Sequence, residues 1–147
     1  MNDQGNLQTL IKYNTTSTYG TPDSLTTLEA VDDAATAAFG SGARMPTADE
    51  WRELIDNTTV EWTTLNGVNG RKFTAANGNA LFLPAAGRCE YTNHCFVGSM
   101  GFYWSSSLEL DTGYQKNALS FCFYSDHQHM LSRSRFEGFY VRAVRQN

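Results

Sequence analysis

Two Asn-Gly dipeptides, Asn66-Gly67 and Asn77-Gly78, each sit between short apolar runs. Asn-Gly accepts the positive φ that a tight hairpin turn demands, so each pair marks a place where the chain reverses. "VEWTTLNGV" ends in the first turn, and "GRKFTAANGNALFLPAAG" carries two further runs around the second. Together they predict a meander of three short antiparallel strands, and any fold proposed for this chain has to accommodate it.

Upstream, the pattern is helical. Residues 28–39, "LEAVDDAATAAF", predict a helix on alanine content, with Gly40 as its terminator. "RMPTADEWRELI" predicts a second. Thr47 is a good cap, Glu50 three residues on completes a capping box, and Trp51, Leu54 and Ile55 share one face. "LIKYN" near the start reads as a first strand.

Downstream, residues 88–100 read as a polar loop, 101–107 ("GFYWSSS") as a strand and 108–116 as another loop. "NALSFCF" alternates sharply. Leu119, Phe121 and Phe123 are expected to face the core, and Ser120, Cys122 and Tyr124 to face outward. "SDHQHMLSRSRFEG" reads as a long polar segment before a closing strand, "FYVRAV". The expected class is α+β: two helices, then short antiparallel strands and long loops. At 147 residues the expected organisation is a single domain over 1–147, with residues 1–10 read as a connector.

Composition narrows the function. A net charge of −4 without a basic stripe argues against nucleic acid as a partner. Apolar runs are too short for membrane insertion, and "MNDQGNLQTL" does not have the make-up of a signal peptide. Three cysteines, Cys89, Cys95 and Cys122, do not make a disulfide framework, although Cys89 and Cys95 flank a polar loop and are candidates to pair under oxidising conditions. Asn14 and Asn57 begin Asn-x-Thr sequons.

No residue set points to catalysis or to a cofactor. His127 and His129 lie two apart, on one face if extended, with Asp126, His94, Cys89 and Cys95 as candidate third ligands; without a matched third ligand the pair does not define a metal site. Ser105, Ser106 and Ser107 have no nucleophile elbow around them, and Asp32-Asp33 point apart on a helix. No phosphate-binding glycine motif occurs. Instead, framework-like blocks alternate with three segments of disparate side chains, "RCEYTNHCF", "LELDTGYQK" and "YSDHQHMLSRSRFEGFY". Tyr, Arg and Phe in loops on a rigid scaffold point to recognition.

The blocks "RMPTADEW", "EWTTLNGVNG", "NGNALFLPAAG", "GFYWSSS" and "RFEGFYVRAV", in order from about Lys12 to Val144, resemble the Fibrobacter succinogenes major paralogous domain family. "RMPTADEW" and the closing "VRAV" also resemble the formylglycine-generating-enzyme branch of C-type-lectin-like folds. The resemblance implies a C-type-lectin-like fold with two helices, a small antiparallel β core and long loops. It implies surface or secreted proteins of gut Bacteroidetes and their phages, some of them variable proteins rewritten by a diversity-generating retroelement. The expected location is extracellular, on a cell surface or a phage virion, as part of a larger protein. The motifs of calcium-dependent lectins and the paired cysteines of formylglycine-generating enzymes have no match here.

Carried over residue by residue, the resemblance implies a ligand-binding surface in three parts. The first is Cys89, Glu90, Tyr91, Cys95, Phe96, Met100 and Phe102. The second is Glu109, Tyr114, Gln115 and Asn117. The third is Ser120, Cys122, Tyr124, His127, Gln128, His129, Ser132, Arg133, Ser134, Phe136, Glu137, Phe139 and Tyr140. The implied function is recognition of a protein or glycan receptor on a cell or virion surface, as in adhesion or phage receptor binding. A formylglycine-type or metal-dependent enzyme, and a structural domain of an envelope protein without a ligand, are the alternatives.

Overall fold

The computed structural model describes residues 10–111, 113–114 and 116–145. The fold is α+β, with two helices and mostly antiparallel sheets.

The N-terminal stretch is irregular. Instead of a strand, "LIKYN" makes one bridge, Leu10 to Gly20, because the Asp23 carboxylate takes the backbone N–H groups of Tyr13 and Asn14 at 2.6 and 3.0 Å. Asn14 is buried, so this sequon is closed to a glycan in the folded chain.

The first helix, α1 (Ala34–Phe39), is half the expected length. Its cap is Asp33, whose buried carboxylate accepts from Ala35 and Thr36 N–H at 2.9 Å each and from Met45 N–H at 2.8 Å. Residues upstream bond elsewhere. Leu28 N–H donates to Ser106 carbonyl at 2.8 Å, and Asp32 is held by Lys12 and the Tyr13 hydroxyl. A short strand, β1 (Ala43–Arg44), leads into α2 (Ala48–Asp56).

The start of α2 follows the sequence pattern. Thr47 Oγ1 accepts from Glu50 N–H at 3.2 Å, and Glu50 Oε2 accepts from Thr47 N–H at 2.8 Å. Arg44 then grips the Glu50 carboxylate with both terminal nitrogens, at 2.7 and 2.6 Å. This guanidinium, more than the Thr47 backbone bond, holds the Glu50 carboxyl down at about 2.

The meander is also present: β2 (Thr58–Leu65), β3 (Val68–Ala75) and β4 (Ala80–Pro84), paired in that order. Asn66 and Gly67 both have positive φ, 51° and 80°, as a two-residue turn of this type requires.

Residues 88–100 hold a small hairpin instead of a plain loop: β5 (Arg88–Glu90) against β6 (Asn93–Cys95). A second three-stranded sheet follows, β7 (Gly101–Leu108), β8 (Asn117–Phe123) and β9 (Gln128–Ser134), with β8 central. The polar run expected to be a loop is therefore largely strand β9. Its alternation is masked because both of its faces mix polar and apolar side chains. The closing strand is shorter than expected, β10 (Val144–Arg145) on β1. Residues 138–140 instead lie along β5 and β7 through isolated bridges, with Tyr140 N–H donating to Phe102 carbonyl and Trp104 N–H to Tyr140 carbonyl, both at 3.0 Å.

The main core lies between α2 and the two three-stranded sheets. Trp51, Phe73, Leu83, Ala85, Tyr103, Phe121 and Phe123 are buried there, with Leu54 and Ile55 packed against them. Trp51 stacks on Phe121 at 4.9 Å between ring centroids, and Phe73 meets Phe121 edge-on at 5.9 Å.

Candidate recognition surface

Strand register decides which side chains share a side of the second sheet. Phe102 pairs with Cys122, Cys122 with His129, and Trp104 with Ser120. Residues 118, 120 and 122 of β8 therefore face the same way as Phe102 and Trp104, and as His129, Leu131 and Arg133 of β9. Phe121, Phe123 and Met130 face the core on the other side.

Ser120 and Cys122 do point away from that core, as the alternation predicts, but they do not reach solvent. Both are 0% exposed. The segment after β9 packs on the residues paired with them: Phe139 stacks on Trp104 at 4.4 Å and packs on Phe102 at 5.1 Å. Arg88 lies over the rings of Phe102 and Phe96, at 5.1 and 5.3 Å from their centroids. This is a second, smaller aromatic layer, which an in/out reading of a single strand does not anticipate.

Four expected ligand-contacting residues are thus corrected to structural ones: Phe102, Asn117, Ser120 and Cys122 are buried. Asn117 Nδ2 donates to Ser132 Oγ at 3.0 Å, and Ser134 Oγ donates to Asn117 Oδ1 at 3.4 Å, which engages both serines in holding β8 to β9. Burial pushes the Cys122 thiol up to about 11. Gln115 lies outside the described residues.

The remaining candidates fall into two places. Glu109 and Tyr114 belong to the loop between β7 and β8, at the Asn117 end of β8, where Tyr19 Oη donates to Gly113 carbonyl. Tyr124, His127 and His129 lie at the Phe123 end, roughly 20 Å away along the strand. Glu90, Phe96 and Glu137 gather around Arg88, which lies over Phe102, and Phe139 packs on Phe102 as well, while Arg133 pairs in register with Ala118 toward the Asn117 end. Tyr91, His127, Phe136 and Tyr140 are exposed; Met100 and Gln128 are half-buried.

Three rings make a feature of their own. Tyr124, His127 and His129 are nearly parallel, with interplanar angles of 6–15° and centroids 4.3–6.0 Å apart. The turn bond from Tyr124 N–H to His127 carbonyl, 2.8 Å, sets the hairpin that brings them together. Asp126 Oδ1 meets His127 Nδ1 at 2.7 Å, and that bond holds the Asp126 carboxyl below its usual range. Burial, then the neighbouring His127 and Arg133, lower His129.

Arg88 was not singled out from the sequence, yet it organises this region. It bridges Glu137, at 3.2 Å, and Glu90. The only available signal was an arginine opening the segment "RCEYTNHCF", with carboxylates at 90 and 137. Arg71, also not singled out, reaches across from β3 and donates from Nε to the Tyr124 carbonyl at 2.7 Å, which fixes the start of the hairpin.

The other chemistry weighed from the sequence resolves into structure. Ser105 Oγ donates to Leu119 carbonyl at 2.6 Å, Ser106 Oγ to Pro46 carbonyl at 3.4 Å, and Ser107 Oγ accepts from Ala48 N–H at 3.0 Å. Cys89, Cys95 and Cys122 are free thiols. Cys89 pairs in register with His94 and Cys95 with Arg88, so the two cysteines face opposite sides of the β5–β6 hairpin. Among the described residues, no three His, Cys, Asp or Glu side chains are grouped to hold a metal ion, and no helix is long and apolar enough to cross a membrane.

No family model, no curated protein and no solved structure matches the chain. What stands is the class of molecule: an α+β fold whose second sheet carries an arginine- and aromatic-rich side.

Proposed function

We propose that this chain is a ligand-recognition module of C-type-lectin-like fold. Its recognition surface is the side of the β7–β8–β9 sheet that carries Tyr124, His127, His129 and Arg133, extended by Phe136. The partner is a protein or glycan receptor on a cell or virion surface, met outside the cell by a larger protein that contains this module. The surface is of the kind diversified by a retroelement.

The observation that carries this reading is the contrast between the two sides of one sheet. Phe121 and Phe123 on one side complete an aromatic core with Trp51 and Phe73. The other side presents titratable and aromatic groups of mixed sign, rigidly backed by Phe102, Trp104 and Phe139. Rigid backing lowers the cost of ordering side chains on binding, and Tyr and Arg are the side chains that dominate binding energies.

The test is a triple variant, Tyr124→Ala, Arg133→Ala and Phe136→Ala. It is screened beside the parent against an immobilised panel of glycans and of bacterial surface-protein fractions. Parental binding that the variant loses, with the thermal midpoint kept within a few degrees, supports the reading. A variant that binds as the parent does sinks it. Diversification has its own test in DNA: a near-repeat of the 3′ coding region beside a reverse-transcriptase gene, differing at adenines. The differences are expected at codons such as 127, 129, 133 and 136 and not at 102, 120 or 122, where the side chains are buried.

A further inference from the structure

The side of the second sheet that looks away from the core is not filled evenly. At the Phe102 end, Phe139 and Arg88 pack on it. At the other end, near Ala118 and Leu108, the N-terminal stretch is tied to it. Leu28 N–H donates to the Ser106 carbonyl and Leu108 N–H to the Thr26 carbonyl, both at 2.8 Å, and Arg135 donates to the Tyr13 carbonyl at 2.6 Å. Between these elements is a pocket of about 120 Å³. Leu28, Met45, Trp104 and Leu108 give it apolar walls, and Met45 and Leu108 are buried. Ala34 and Val141, both exposed, mark its mouth.

The space exists because several side chains around it are small. Ala34, Ala118 and the serines at 105, 106 and 107 stand where larger residues would fill it. Protein interiors are otherwise close-packed, with few voids larger than a water. A dry apolar cavity of about 150 Å³ takes up benzene, so this volume suits one six-membered ring with a small substituent and leaves no room for a peptide backbone. Charge sets a second limit. Asp32 and Arg135 both line the pocket. Asp32 is already held by Lys12 and the Tyr13 hydroxyl, and Arg135 by the carbonyls of Lys12 and Tyr13. A ligand carboxylate would meet Asp32 and a ligand ammonium Arg135, so the pocket favours neither sign. One donor is left over inside. Ser107 Oγ accepts from Ala48 N–H at 3.0 Å, and among the described residues its own proton has no acceptor. The Met45 thioether and the Trp104 indole are both favourable neighbours for an aromatic ring.

We propose that this pocket is a second binding site, separate from the recognition surface, for a small uncharged molecule of the phenol class, with its ring against Met45 and Trp104 and its oxygen toward Ser107. The test is calorimetric titration of the full chain. The probes are p-cresol, toluene, 4-hydroxybenzoate, 4-hydroxybenzylamine and N-acetyl-tyrosinamide. p-Cresol and toluene should bind with Kd below about 1 mM, and the two charged phenols at least roughly 10-fold more weakly than p-cresol. Ser107→Ala should weaken p-cresol by roughly 2- to 10-fold, one hydrogen bond's worth, and leave toluene unchanged, a split that a merely structural role would not produce. Ala118→Leu and Ala34→Leu each put a larger side chain into the pocket and should weaken p-cresol by roughly 10-fold or more. Ala34 is exposed, so its variant keeps the test if Ala118→Leu does not fold. The Ala34→Leu variant should melt with the parent.

Four outcomes overturn the proposal: no binding of p-cresol, equal affinity for the charged phenols, unchanged p-cresol binding in Ala34→Leu, or a Ser107→Ala variant that weakens p-cresol and toluene alike. N-Acetyl-tyrosinamide binding more tightly than p-cresol overturns it too, because the pocket would then be a dock for a partner's tyrosine side chain. The triple variant at Tyr124, Arg133 and Phe136 should bind p-cresol as the parent does. Failure of either site therefore leaves the other standing, and a triple variant that loses p-cresol refutes their separation.

Discussion

Cys122 gives the sharpest test of how the second sheet is built. If β8 were covered on one side only, residue 122 would be an outward position that accepts any side chain. Instead it is 0% exposed, on the side of the sheet where Phe139 packs on Phe102, the residue paired with Cys122. Cys122→Ala removes roughly one methylene's worth of apolar transfer, about 0.8 kcal/mol. It leaves a void of about 20 Å³, worth about 0.5 kcal/mol more. Cys122→Lys places a cation in the same buried space. An unpaired buried charge costs about 3–5 kcal/mol. For a chain of this size each kcal/mol moves the thermal midpoint by roughly 3 °C. The expected shifts are therefore about −4 °C for the alanine and −10 °C or more for the lysine. Tyr91→Lys, at a side chain 94% exposed, should stay within about 2 °C. Thermal melts followed by circular dichroism read all three. A lysine variant that melts within 2 °C of the parent refutes the two-layered sheet.

Two further predictions concern packing and acid stability. A Cβ on Gly101 would overlap the ring of Phe123, itself fully buried, so Gly101→Ala should lower stability by about 1–3 kcal/mol in urea denaturation, whereas Gly42→Ala, with nothing near its Cβ, should be within about 0.5 kcal/mol of the parent. Because Arg44 holds Glu50 at about 2 in the folded chain against an ordinary value of 4.5, the stability it lends is complete above pH 4.5 and is lost as the pH falls toward 2; Glu50→Gln should therefore be flatter than the parent in urea midpoint across that window, and parallel curves would remove the ion pair from the account.

Elements specified by neighbours in sequence were legible. The Thr47/Glu50 box and the Asn66-Gly67 turn depend on residues three or fewer apart, and both formed as read. Elements decided by remote partners were not. The start of α1 moved to Asp33 because Met45 N–H and the bonds made by Leu28 and Asp32 claim the upstream residues. Strand β9 hid in a polar run because Met130 serves the core while His129 and Arg133 serve the other side. The candidate surface was partly legible for the same reason. The exposed His127 and half-buried His129 do face the same way. The burial of Phe102 depends on Phe139, far along the chain, and on Arg88, whose role no local pattern announces.

The ties between the two ends of the described chain have a consequence for how the protein is made. Arg135 donates to the carbonyls of Lys12 and Tyr13, at 3.4 and 2.6 Å, and β10 pairs with β1 across about a hundred residues. Contacts of such sequence separation form slowly and late. During synthesis, α2 and the β2–β4 meander can take shape as they emerge. Tyr13 and β1 must wait for Arg135 and residues 144–145 to emerge. Until those residues emerge the N-terminal segment stays unclosed, and that is the interval in which chaperone engagement and misassembly would be decided.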